Sequence, residues 1–246
     1  MGIHIQPKFH SEDAGMTQSL MLHQETLLLA LSDGTGKFSS GMYLYSVAGA
    51  MVSELMLLER IRIADDKQKS VEVLSTQPTG CEVLDDFLAR ISESSRPRGL
   101  QHWIGVATGI PKLNHRLAEQ LCELGILKHD ERKVLFLFTQ QVYPELDGTW
   151  EDAIRARMAD VMFRPGTEAD VRTCALIALA FHADLLRSNF AKEELDQHRA
   201  RIKELASGEH LASDSTKASI DAAQAAIVAA TIIPAIMTSV VVNTSN

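Results

Sequence analysis

The sequence has few cysteines and no pattern that would support a disulfide framework. Only three occur among 246 residues, and they lie far apart without a CxxC pair: Cys81, Cys122 and Cys174. An odd number at such spacing is typical of reduced thiols packed inside a cytoplasmic protein. The N-terminus also lacks a basic stretch followed by an apolar run, so we expect no signal peptide. The sequence therefore predicts a cytoplasmic protein with a flexible leader over residues 1–19.

Basic residues are too few for a general nucleic-acid-binding protein. The chain has 24 Lys and Arg against 32 Asp and Glu, which gives a net charge of −8 and a pI near 5.6. Nucleic-acid-binding domains usually carry a strongly basic face, so we expect no nucleic-acid partner. A small basic pocket is still compatible with this composition, because charges are screened over roughly 10 Å.

The common sequence motifs of enzymes are missing. No HExxH, GxSxG, P-loop or dinucleotide-binding fingerprint occurs, and the nine histidines show no metal-ligand spacing. His182 and Asp184 come closest to a catalytic pair, but residues two apart on a helix point to different faces. The carboxylates of Glu82, Asp85 and Asp86 fit the solvated face of an amphipathic helix. We therefore expect no catalytic residue, cofactor or metal, although an unrecognised active site at these groups stays an alternative.

Aromatic residues make up only 5% of the chain, which favours helices over a β-sandwich. Apolar residues at helical spacing predict helices within residues 24–33, 43–61, 83–91, 114–127, 149–163, 168–190 and 193–206. Alternating segments predict two β-hairpins, at 60–75 and 132–146, the second turning around Thr139–Gln141. The predicted fold is mainly α-helical with short β-hairpins.

A segment without charge lies near the C-terminus. Residues 222–242 reach the length of about 20 residues that a membrane span requires. Gln224 and Pro234 interrupt the segment, and no basic anchor follows it. These features favour a buried C-terminal core helix over a membrane span.

One stretch of this acidic chain contains no carboxylate. Asp and Glu are absent from Ser94 to Ala118, although this stretch contains several basic residues and histidines: Arg96, Arg98, His102, Lys112, His115 and Arg116. The absence is compatible with chance on a solvated surface. It is also what an anion-binding region requires.

The order of segments resembles the Golgi phosphoprotein 3 family, in a bacterial-type member, from about Leu20 to about Pro234. The resemblance rests on segments that are weak alone but specific in order and spacing: "AGAMVSELMLLERIRI" (48–63), "PTGCEVLDDFLARI" (78–91), "RLAEQLCELGIL" (116–127), "RTCALIALAFHADLL" (172–186) and "RIKELA" (201–206). It implies a single, mainly α-helical domain over residues 20–242, with a buried C-terminal helix, short β-hairpins and a tail at 243–246.

The resemblance also implies a function. Eukaryotic members of this family are peripheral membrane adaptors that recognise phosphatidylinositol 4-phosphate and hold glycosyltransferases in the Golgi. The implied partners are therefore an anionic phospholipid, client enzymes and a second copy of the chain. The implied location is the cytoplasm, with peripheral attachment to the cytoplasmic face of a membrane.

The family's headgroup-binding residues do not carry over to this chain. No Trp occurs between Leu31 and Arg60, the family's helix Arg falls on Ala48, and two further arginines fall on about Pro111 and Asn114. The resemblance therefore implies weakened or altered recognition of anionic lipid. The residues left to form an anion site are Lys112, Asn114, His115 and Arg116. The alternative is a protein-interaction or scaffold module that keeps the fold without binding lipid.

The second predicted hairpin matches a family hairpin linked to membrane contact and oligomer formation. Its residues are Val134 to Val142, and the candidate contact residues are Phe136, Phe138, Thr139 and Gln140. Side chains alternate along a strand, so about half of the apolar ones are expected to face the protein core. A contact role and plain packing both remain compatible with this pattern.

Overall fold

The computed structural model describes residues 19–32, 34–39, 43–134 and 138–207. All of the predicted leader except Ser19 lies outside these ranges. The predicted C-terminal helix at 222–242 and the tail at 243–246 also lie outside them. The descriptions below concern the described residues.

The described residues form ten helices and five short strands, in agreement with the predicted mainly α fold. The helices are α1 (Leu22–Leu29), α2 (Tyr43–Leu57), α3 (Glu82–Ser92), α4 (Leu100–Thr108), α5 (Leu113–Glu123), α6 (Thr149–Phe163), α7 (Val171–His182), α8 (Leu186–Asn189), α9 (Lys192–Gln197) and α10 (Arg199–Ser207). The strands are β1 (Ile61–Ile63), β2 (Ser70–Val73), β3 (Arg98–Gly99), β4 (Asp130–Val134) and β5 (Phe138–Val142). No helix among them is long and apolar enough to cross a membrane.

Helices α1, α2 and α7 occupy the centre of the core. All eight residues of α1 are buried, as are most residues of α2 and α7. Small residues around Gly49 let neighbouring helices approach closely, and Ser46 Oγ donates a 3.1 Å hydrogen bond to the Leu179 carbonyl. A helix that is buried on nearly every side must be surrounded by other elements, which is why these three are central.

Buried ion pairs join the central helices. The two terminal guanidinium nitrogens of Arg172 on α7, Nη1 and Nη2, each lie 2.8 Å from an oxygen of the Glu54 carboxylate on α2. Glu54 also accepts a hydrogen bond from the Leu22 backbone N–H at the start of α1. Also on α1, Glu25 accepts a 2.8 Å hydrogen bond from Arg157 of α6. A paired guanidinium and carboxylate satisfy each other in a way that a lone buried charge would not.

The strands form two small antiparallel sheets. The first has the order β1-β2-β3, with Ile61 opposite Val73, which confirms the first predicted hairpin. The second pairs β4 with β5, placing Lys133 opposite Thr139. The second hairpin is thus confirmed, but the prediction of its turn was wrong, because Thr139–Gln141 lie within β5. These polar residues fit a strand because it is exposed to solvent and does not require apolar alternation.

Candidate anion-binding site

Helix α5 begins with an unusual backbone conformation. Its N-terminal cap, Lys112, has φ 53° and ψ 32°, the left-handed region that few residues other than glycine adopt. The cap makes no side-chain hydrogen bond, and the first turn contains no acidic residue. Backbone N–H groups at a helix start carry partial positive charge and attract anions. The start of α5 therefore favours an anion over a cation.

The Lys112 side chain is available for a ligand. It is exposed, and within the described part of the chain it has no ion-pair partner. The next residue, Leu113, is buried, as is Leu117 one turn later. These anchors fix α5 against the core, so the position of the Lys112 backbone is set by packing.

Asn114 is held by an aromatic side chain of α2. Its Nδ2 donates a 3.1 Å hydrogen bond to the Tyr43 hydroxyl. Tyr43 is buried, and its ring stacks on Phe38 with centroids 5.5 Å apart. Burial raises the pKa of Tyr43 to about 12, so the hydroxyl stays protonated. Asn114 is therefore fixed in the wall of the site.

His115 contacts a second tyrosine. Its Nδ1 shares a 2.9 Å hydrogen bond with the Tyr143 hydroxyl, and its ring lies edge-on to Phe38. Burial lowers the pKa of His115 below its ordinary value. The charge of Glu119 raises this pKa, whereas the charge of Lys112 lowers it further. At neutral pH the imidazole is thus uncharged. It contributes polarity to the site but little positive charge.

Arg116 faces away from this aromatic cluster, toward α3. Its guanidinium lies 2.9 Å from a Glu82 oxygen and 2.6 Å from an Asp86 oxygen. The hydrogen bond to Asp86 raises the pKa of Arg116 further above its ordinary value. The interpretation of Glu82 and Asp86 as solvated was incomplete, because both also bind Arg116. In the fold, two carboxylates of α3 therefore contact the stretch that contains no acidic residue of its own.

A cavity of about 440 Å³ lies beside Arg116, and its lining is acidic. The carboxylates of Glu82, Glu119 and Glu123 line it together with Arg116 and Cys81. Three carboxylates against one paired guanidinium disfavour an anion there. Of the candidate residues on α5, Lys112 at its start is thus the cation that carboxylates do not neutralise in the described structure.

The predicted contact residues of the second hairpin are exposed where the structure describes them. The Phe138 side chain is 67% exposed, and Thr139 and Gln140 are also exposed. Val142, at the end of β5, is buried. Phe136 lies outside the described residues. Among its described residues, the hairpin thus presents the large apolar side chain of Phe138 to solvent.

The chain belongs to the Golgi phosphoprotein 3 (GPP34) family, because the family pattern matches residues 22–223. The sequence segments that carry the resemblance to this family lie in the helices, strands and connecting turns described above.

A relative in Dictyostelium discoideum, a VPS74-like protein, is 21% identical over 161 residues. The match covers 59% of this chain and 62% of the relative. The chain therefore spans less than two thirds of that relative's length.

Sequence reasoning did not find the aromatic residues that hold the site together. Three tyrosines occur in the chain, and two of them, Tyr43 and Tyr143, reach α5 from distant segments. His129 stacks on Tyr143 with ring centroids 5.3 Å apart. Neither tyrosine belongs to a recognisable sequence motif. The one sequence feature that could have drawn attention to them is the small number of aromatic residues in the chain.

Proposed function

We propose that this protein is a peripheral membrane adaptor that binds anionic phospholipid through the start of α5. The observation that carries the proposal is an exposed Lys112, without an ion pair in the described structure, at a helix start that has no acidic residue. A phosphate oxygen suits both the ammonium group and the free backbone N–H groups. Membership of the Golgi phosphoprotein 3 family supports a phosphoinositide as the class of lipid.

The proposed headgroup recognition is weaker or broader than strict selectivity for phosphatidylinositol 4-phosphate. Ala48 is fully buried in α2, where an arginine of the family pattern would stand. Asn114 hydrogen-bonds to Tyr43 and carries no charge. Lys112 is thus the main cation of the site, and one such residue near an anionic surface contributes about 1 kcal/mol. Selective binding of a multiply charged headgroup would require more cations than this.

We assign Arg116 a supporting role in this site. Its guanidinium contacts two carboxylates of α3, so releasing it for a lipid phosphate would leave Glu82 and Asp86 without their partner. The ion pairs hold α5 against α3 and keep the Lys112 end of α5 in place. Arg116 therefore acts on lipid binding through the position of the helix.

The exposed hairpin supplies the second part of the proposed attachment. Phe138 is the large apolar side chain at the described end of β5, where it would enter a membrane interface or contact a second copy of the chain. Either contact would add apolar burial to the weak electrostatic attraction at Lys112. We propose that the bound protein recruits client enzymes, as adaptors of this family do.

A second candidate function is a scaffold that binds proteins but no lipid. The replacement of the family's headgroup-binding residues and the neutralisation of Arg116 favour it. An enzyme is disfavoured at His182 and Asp184, because Asp184 is exposed and pairs with Arg187 at 3.2 Å. Burial lowers the pKa of His182, but no described carboxylate is paired with it.

Vesicle flotation separates these two functions. The chain is mixed with neutral phosphatidylcholine vesicles, or with vesicles that also contain phosphatidylinositol, phosphatidylinositol 4-phosphate or cardiolipin, at low and moderate salt. The proposal predicts flotation with several acidic lipids that weakens as salt rises, because screening shortens the reach of charge. Flotation with none of them would contradict the proposal and favour the scaffold. Flotation with phosphatidylinositol 4-phosphate alone would contradict the broad recognition.

A further inference from the structure

Two histidines, His115 and His129, contact one buried tyrosine near the start of α5. His115 Nδ1 lies 2.9 Å from the Tyr143 hydroxyl, and the two rings have centroids 5.6 Å apart. His129 stacks on the Tyr143 ring at 5.3 Å with 14° between the planes. Lys112 is one helical turn before His115 on α5. Lys112 and the two imidazoles therefore lie near one another at one end of α5.

Few carboxylates oppose this cluster. The charged and titratable groups that face the two imidazoles are Lys112 and Glu119 on α5, Tyr143 after β5, and Lys128 and Asp130 beside His129. Lys128 and Asp130 form an ion pair at 3.5 Å and largely cancel each other. Tyr43 reaches the cluster through Phe38 and Asn114 but stays protonated. Glu119 alone favours a protonated His115, whereas Lys112 disfavours it.

We infer that His115 and His129 extend the anion-binding site at the start of α5, and that protonation of His115 strengthens the attraction of this site for acidic phospholipid as the pH falls below neutral. The inference rests on the proposed lipid binding and adds its regulation. The His115 imidazole is uncharged at neutral pH, so it adds no positive charge to that of Lys112 there. Protonation of His115 would add one cation to the site beside Lys112.

The hydrogen bonds around Tyr143 accommodate a protonated His115. An imidazolium donates from both nitrogens. Its Nδ1–H would donate to the Tyr143 oxygen, while the Tyr143 hydroxyl would donate to Gln141 Oε1, 3.5 Å away. In the described structure no residue bonds His115 Nε2, so this second N–H would be free for a phosphate oxygen.

A bound phosphate would also favour protonation. Lys112 and His129 both lower the pKa of His115 through repulsion between like charges. An anion placed among them would remove part of this repulsion. Linkage requires that a ligand which raises proton affinity is itself bound more tightly when the proton is present. The geometry therefore couples proton and anion uptake at one site.

The test compares vesicle binding at two pH values with a lipid whose charge is constant. Phosphatidylglycerol in phosphatidylcholine vesicles stays ionised at about pH 7.5 and about pH 5.5, so only the protein titrates. We expect the full chain to bind about fivefold more tightly at the lower pH, the factor that one added cation provides near an anionic surface. The variant His115→Gln/His129→Gln should lose this gain.

A matched control removes two other histidines. The variant His182→Gln/His198→Gln loses the same number of histidines, on α7 and after α9, and should keep the full gain. Circular dichroism at both pH values, and vesicles of phosphatidylcholine alone, would detect acid unfolding that exposes apolar surface. A gain kept by His115→Gln/His129→Gln, or seen with neutral vesicles, would overturn the inference. Binding that does not change with pH would also overturn it while leaving the proposed function intact, and absence of binding at both values would contradict both.

Discussion

The Arg116 guanidinium lies 2.6 Å from the carboxylate of Asp86, a residue 30 positions earlier in the chain, and this contact joins α5 to α3. A second carboxylate, Glu82, lies 2.9 Å from the same guanidinium. The sequence analysis placed Arg116 in an anion site, but in the fold its charge is paired with these two carboxylates. This pairing divides α5 into a neutralised face toward α3 and a cationic start at Lys112.

The first prediction concerns the role of this pair. Asp86→Ala and Arg116→Ala should each lower the free energy of unfolding by about 0.5–1 kcal/mol, because the pair is partly solvated. The double variant should cost less than the sum of the two single variants. Urea unfolding of the four proteins measures this coupling. Additive costs would contradict a link between α5 and α3, and a large loss of vesicle binding in a fully folded Arg116→Ala protein would return Arg116 to the lipid site.

The second prediction concerns the Glu54–Arg172 pair in the core. Glu54 is 1% exposed, and Glu54→Ala would leave the Leu22 N–H without its acceptor and the Arg172 charge without its carboxylate. The expected loss is about 3–5 kcal/mol of unfolding free energy. The matched control is Glu72→Ala, since Glu72 pairs with Arg62 at the surface and should cost less than about 1 kcal/mol. Similar shifts of the urea midpoint for both variants would contradict this account of the core.

The third prediction concerns stability in acid. His23 is fully buried, and burial lowers its pKa to about 4 from an ordinary value of 6.5. As the pH falls below 6.5 the unfolded chain takes up this proton before the folded protein does, so stability is lost between about pH 6.5 and about pH 4. The shift corresponds to about 3 kcal/mol.

The variant His23→Gln isolates this effect, because it keeps a polar side chain near Cys81 without a titrating group. Its unfolding free energy should fall by about 3 kcal/mol less than that of the natural chain over the same pH range. Glu25, whose pKa burial raises, is present in both proteins and cancels in the comparison. Parallel pH profiles would show that His23 is not responsible.

The fourth prediction concerns the hairpin. Phe138→Ser should change the unfolding free energy by no more than about 0.5 kcal/mol, because the side chain is already in solvent. It should nevertheless weaken vesicle binding or lower the oligomer mass in light scattering. Leu74→Ser is the control, since Leu74 is 54% exposed outside the hairpin. Loss of flotation at an unchanged oligomer mass would identify a membrane contact. A lower oligomer mass would identify a contact between copies of the chain. No change in either measurement would contradict both roles.

The sequence predicted those parts of the fold that depend on local patterns. The spacing of Val47, Met51 and Leu55 predicted α2, because burial repeats with the period of the helix. The turn at Thr139–Gln141 was misplaced, since polar residues fit both a turn and a solvent-exposed strand.

The candidate site was predicted only in part, because its geometry depends on distant residues. Lys112, Asn114 and His115 do lie together at the start of α5, as neighbours in sequence must. The partner of Arg116 comes from α3, and the partner of His115 is Tyr143, 28 residues further along the chain. Charge counted along the sequence does not include such contacts. A stretch without acids therefore did not identify a surface without acids.

Reversing the charge of Lys112 tests the central claim most directly. Binding of the natural chain, Lys112→Glu and Lys203→Glu is measured by flotation with vesicles containing phosphatidylinositol at low salt. Lys203 is exposed on α10 and provides the same change of net charge at another place. We predict that Lys112→Glu weakens binding roughly thirtyfold, as a change of two charges near an anionic surface implies, and that Lys203→Glu has only a small effect. Equal binding by the two variants would contradict an anion site at the start of α5.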